Sequence, residues 1–160
     1  MSIYNNLTLQ QTPAGAQFNP AGLFNTGAII DIEISLPQAL VDLYTKQGKP
    51  LPQSVAGLAL IDTGATKSCV HDAIMQQLEV NATGVATSQT AYGPRQCNLY
   101  PAHFRFPSAQ IDIEFNSVME VDLTGQIVNG QQLIALIGRD VLSRTVFTYN
   151  GPMGMYTLSM

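Results

Sequence analysis

Leu58-Ala59-Leu60-Ile61-Asp62-Thr63-Gly64-Ala65-Thr66 sets a carboxylate at the end of an apolar run that begins at Val55. A continuous apolar run of this length predicts an interior strand buried on both faces. Burying an acid at its end is costly unless something holds or uses that acid. The hydroxyl and glycine that follow suit a tight loop whose backbone N–H groups reach back to Asp62. Alone, the Asp-Thr-Gly triplet is weak evidence, since average composition yields such a triplet in roughly one chain of this length in 15. The plainer account is a surface turn closed by an Asx hydrogen bond. The flanking strand argues against it, because surface turns seldom follow an unbroken apolar run.

Further along stands a second apolar run, Leu133-Ile134-Ala135-Leu136-Ile137, ended this time by Gly138-Arg139-Asp140. Before the first run, Ile30, Ile32, Ile34 and Leu36 alternate with polar residues over 28–36, the period-two signature of a half-buried strand. Residues 36–54, with Pro37, Gly48, Pro50 and Pro52, read as a long loop holding a short helical turn at 38–44. Residues 72–78 predict a two-turn helix. Segments 85–90 and 98–106 flank Ala91-Tyr92-Gly93-Pro94, a turn-forming tip, and predict a long hairpin. Segments 111–115 and 119–123 predict a second one. One helical turn at 139–143 and two strands at 145–149 and 155–160 complete the chain. The first 26 residues are polar and read as a loosely held arm with one short strand at 3–9, leaving 27–160 as one domain. Some ten short strands with one or two short helices predict an all-β fold, a closed barrel or sandwich.

Composition narrows the function. The 160 residues are 46% hydrophobic and only 11% charged, which excludes an intrinsically disordered chain. So few charges predict a surface partly covered by a partner. A net charge of −4 without a Lys/Arg run excludes nucleic acid as a ligand, because phosphate binding needs clustered cations. The apolar runs fall far short of the ~20 residues that span a bilayer. No basic residue precedes Lys46, so no secretory start is visible and a cytoplasmic location is expected. Cys69 and Cys97 read as free thiols, and neither His71 nor His103 falls in a ligand motif, so no metal or cofactor is expected.

Taken as a pair, the Asp62-Thr63-Gly64-Ala65 and Ile137-Gly138-Arg139-Asp140 segments resemble the retropepsin family, the single-domain aspartic proteases of retroviruses and their bacterial and eukaryotic relatives. The resemblance spans roughly residues 27–160. It implies an acid-protease barrel that is half of a two-fold symmetric homodimer, with a peptide or protein as substrate and Asp62 as the catalytic acid. It further implies that the Thr63 hydroxyl bonds to the partner's loop and that Gly64 and Ala65 shape the site. Gly138 would pack beneath the catalytic loop, and Arg139 would pair with an acid. Ala91, Tyr92 and Gly93 would form the flap over bound peptide. The sequence departs from retroviral members at Thr66, where an acid often stands, so the partner of Arg139 is open between Asp72 and Asp140.

The chemistry stands beside the resemblance. One carboxylate cannot serve as both general base and general acid, but two sharing a proton can. A chain with one Asp-Thr-Gly meets that need as a symmetric dimer, by activating a water between two Asp62 carboxylates. The alternative is a dimerisation or peptide-binding module of the same fold with little or no proteolytic activity. An acidic cluster, Asp112, Glu114, Glu120 and Asp122, is read as the solvated face of a hairpin rather than a Ca²⁺ site.

Overall fold

The computed structural model describes residues 2–90 and 93–160. The chain opens with β1 (Ile3–Leu7), β2 (Leu9–Thr12), β3 (Gly15–Phe18) and α1 (Pro20–Thr26). β4 (Ile29–Ser35), α2 (Gln38–Lys46) and β5 (Val55–Ile61) follow. The middle of the chain forms β6 (Cys69–His71), α3 (Asp72–Gln77), β7 (Gly84–Thr90), β8 (Gly93–Phe106) and β9 (Ile111–Val121). The last third is β10 (Ile127–Val128), β11 (Gln131–Ile137), α4 (Arg139–Leu142), β12 (Val146–Asn150) and β13 (Met155–Ser159).

The fold is all-β with a few short helices. Six strands close into a barrel in the order β11-β5-β4-β8-β9-β6, with β6 pairing back to β11. Closure follows from side-chain alternation. Ile30, Ile32 and Ile34 of β4 point inward with Ala102, Phe104 and Phe106 of β8 and Ile111 and Ile113 of β9, and all are buried. β5 and β11 pair in parallel, Ile61 opposite Ile137, so the two apolar runs end side by side. That shared end positions the site.

Three expectations change. The second hairpin does not exist: 111–121 is one strand, pairing with β8 and then, in parallel, with β6. No glycine or proline interrupts Phe115-Asn116-Ser117-Val118, so nothing forces a turn there. Residues 38–46 form a full helix rather than a turn within a loop, because Leu40, Val41 and Tyr44 pack on the core. Residues 2–26 also have more structure than an arm with one strand: they carry three strands and a helix, and Leu23 is buried.

β13 lies between β1 and β12 in a separate antiparallel sheet. Both of its edges are therefore paired inside the chain. Tyr156 anchors this sheet to the barrel, its hydroxyl donating to the Ile29 carbonyl while its ring packs against Tyr4 and Phe147. Burial, and then Tyr4 beside it, push the Tyr156 phenol far above the ordinary tyrosine range. The unfolded chain releases that proton near pH 10 while the folded chain keeps it. The resulting stability is complete below about pH 10 and falls as pH rises further. Tyr156→Phe should cost about 1–2 kcal/mol at neutral pH, since it leaves the Ile29 carbonyl without its donor. It should also flatten the alkaline loss of stability. Urea unfolding of both proteins between neutral and strongly alkaline pH tests this, and parallel pH curves would refute it.

Candidate active site

Asp62 leaves β5 where that strand and β11 end together. Its backbone N–H donates to the Ile137 carbonyl at 2.9 Å, continuing the parallel pairing by one residue. The chain then turns sharply. Asp62 Oδ1 accepts from the Gly64 N–H at 2.8 Å and from the Ala65 N–H at 3.3 Å. The carboxylate is half-buried, whereas Thr63 and Gly64 are exposed. The loop therefore holds one carboxylate oxygen by backbone donors and leaves the acid open to a cleft.

Arg139 braces this loop from below. Its guanidinium donates to the carbonyls of Thr63 (2.9 Å) and Gly64 (3.0 Å) and to the Thr66 hydroxyl (2.9 Å). Its own N–H donates to the Ala65 carbonyl at 3.0 Å. The expected acid partner is thus corrected: carbonyl oxygens and the Thr66 hydroxyl take the donors. Asp72 instead lies 3.0 Å from His71 Nδ1. Asp140 accepts from the Ser68 N–H at 3.0 and 2.9 Å and from the Ser68 hydroxyl at 2.7 Å. Ser68 Oγ in turn accepts from the Gly138 N–H at 3.0 Å. Gly138 has room for no side chain, since a Cβ there would stand 2.5 Å from the Lys67 carbonyl carbon. Ser68, fully buried, is a residue the sequence reading missed, and nothing distinguishes it locally from a surface serine.

The acid opens into a cleft of about 670 Å³ beneath the β7–β8 hairpin. Ala86, Thr87, Ser88 and Gln89 of β7 line it, and Met119, Val121 and Leu136 supply apolar surface. Gly93 begins β8 with φ +108°, a left-handed value that favours glycine at a tight hairpin tip. Ala91 and Tyr92 lie outside the described residues. Among the described residues lining the cleft, Asp62 is the one carboxylate.

Cys69 also lines the cleft, but burial, then Cys97, Asp140 and Asp62, push its thiol up to about 11. It stays protonated at neutral pH and is a poor nucleophile. His103 does have partners: Ser35 Oγ at 3.1 Å on Nδ1 and Asp112 Oδ1 at 3.2 Å on Nε2. This relay crosses β4, β8 and β9 and stands apart from the residues lining the Asp62 cleft. The acidic residues of 112–122 go to separate partners. Glu114 accepts from the Gln38 N–H, Glu120 from Asn98 and Tyr100, and Asp122 from the Thr124 N–H. Burial acts to raise the Glu120 carboxyl, yet the bonds from Asn98 and Tyr100 hold it below the usual range. His71, Asp72 and Asp122 bring ligand atoms within 4.8 Å of one another. His71 Nδ1, however, already accepts from the Leu123 N–H at 3.3 Å.

A retropepsin-like aspartic protease from Rickettsia conorii has a similar solved structure. The two chains are 13% identical, the match covers 98% of this chain and 92% of that one, and the TM-score is 0.45. No protein-family model matches the sequence, and no curated protein matches it. Among the described residues no helix is long and apolar enough to cross a membrane.

Proposed function

We propose that this protein is an aspartic endopeptidase that works as a homodimer. The observation that supports this most is the placement of Asp62: a half-buried acid, held by backbone donors, facing a cleft that contains no second carboxylate among its described residues. Peptide hydrolysis by carboxylates needs one ionised and one protonated acid. A second copy placed about a two-fold axis supplies the other through its own Asp62. The ionised carboxylate takes a proton from water as the water oxygen bonds to the scissile carbonyl carbon. The protonated one donates to the carbonyl oxygen, and the amine departs once its nitrogen has gained a proton. Thr63, exposed beside Asp62, contacts the other copy's loop, and Gly93 with Ala91 and Tyr92 covers the peptide.

Incubation with an unfolded protein, with and without pepstatin, tests the reading. Cleavage that pepstatin blocks is expected, tracing a bell against pH in the acidic range because the pair must share one proton. Sedimentation at assay concentration should give twice the chain mass. Peptide binding without any cleavage would instead support the non-catalytic alternative.

A further inference from the structure

Lys67 is the last exposed residue before the chain enters buried β6. Its backbone position is fixed on both sides. Gly138 approaches its carbonyl carbon too closely for any side chain, and the next residue, Ser68, is locked by Asp140. Lys67 lines the cleft together with Asp62. The other cation of this loop system, Arg139, spends its guanidinium donors on Thr63, Gly64 and Thr66. Lys67 is thus the one cation among the described residues lining the cleft, and it makes no ion pair with a described carboxylate.

From this arrangement we infer that the cleft selects peptides carrying an acidic side chain close to the scissile bond, with Lys67 as the specificity-determining residue. The inference rests on the endopeptidase reading. In a chain of net charge −4 whose cleft is lined by one described acid, Asp62, and one described cation, Lys67, an incoming carboxylate finds its attractive partner at Lys67. Met119, Val121 and Leu136 offer apolar surface for the methylenes of that side chain, leaving its carboxylate to the ammonium. A glutamate fits this profile of apolar stem and charged head. The pair lies at a partly solvated rim, so the discrimination is modest and salt-sensitive.

Mass spectrometry of products from a proteome-derived peptide library tests the inference, using wild type, Lys67→Glu and Lys67→Met. Wild type should show Glu or Asp enriched about three- to fivefold at one fixed position near the cut, with the enrichment fading at high ionic strength. Lys67→Met should lose that enrichment, and Lys67→Glu should replace it with Lys or Arg at the same position. Cleavage by wild type with no acidic enrichment, or with a profile unchanged in Lys67→Glu, overturns the inference and leaves the peptidase reading standing. No cleavage by wild type overturns the peptidase reading, and the inference falls with it.

Discussion

Asp62→Asn should lower kcat/KM for any cleaved peptide by about 10³-fold or more, the scale of general acid–base assistance, while the fold stays intact. The amide is nearly the shape of the carboxylate, and its oxygen still accepts from the Gly64 N–H, which now lies 2.8 Å from Asp62 Oδ1. It cannot exchange the proton on which the reaction depends. The thermal transition and the sedimentation behaviour should therefore remain those of wild type. Mixing adds a second test. If each active site takes one acid from each copy, equal amounts of wild type and variant leave only about a quarter of the dimers fully armed. Activity per wild-type chain should then fall by about half, and further with excess variant. A variant with activity near wild type would refute the role of Asp62. Simple dilution without suppression would refute the shared site.

How the loop around Asp62 reads in the sequence comes down to where its signals lie. β5 and β11 are written as two apolar runs, each ended abruptly by a residue that a core strand does not tolerate casually. The parallel pairing that brings Ile61 opposite Ile137 accounts for both endings at once. Alternation in β4 was equally plain, since Ile30, Ile32 and Ile34 share one face. Most of the misreadings involve contacts distant in sequence. Whether Arg139 meets an acid or a row of carbonyls depends on how the 62–66 loop curls over it, which no local pattern encodes. Ser68 is conspicuous only after folding places Asp140 and Gly138 around it. The continuity of β9 is hidden because the apolar–acidic alternation of 111–115 and 119–123 breaks at the polar pair Asn116-Ser117. In the barrel, that pair sits at an irregularity in the β8–β9 ladder, whose pairing resumes at Val118 and Met119. Segment 10–26 carries more structure than its sequence suggests for a related reason: Leu23 of α1 is buried in a core built from residues far along the chain.

Gly138→Ala should be the most damaging single-methyl substitution in the chain's site region. The backbone there, φ −90° and ψ −175°, is open to any residue, so the constraint is space alone. A Cβ would stand 2.5 Å from the Lys67 carbonyl carbon, 2.7 Å from its oxygen and 2.9 Å from the Ser68 nitrogen. All three are backbone atoms, which cannot swing aside as a side-chain tip can. The 67–68 segment must move away from β11, and that motion stretches the Gly138 N–H bond to Ser68 Oγ and the Ser68 bonds to Asp140. Overpacking of this kind costs about 1–3 kcal/mol, and loosening buried hydrogen bonds adds about 1–3 kcal/mol. A total of about 3 kcal/mol lowers Tm by roughly 6–12 °C for a domain of this size. Activity should fall as well, because Arg139 and the loop carrying Asp62 hang on the same strand end. Gly84→Ala is the matched control: its added Cβ would meet only Leu99 Cδ1 at 3.7 Å, an ordinary contact. Melting curves of the two variants should differ by most of that 6–12 °C. Equal Tm values would show that the strand end yields freely, and that Gly138 is not what holds the Asp62 loop in place.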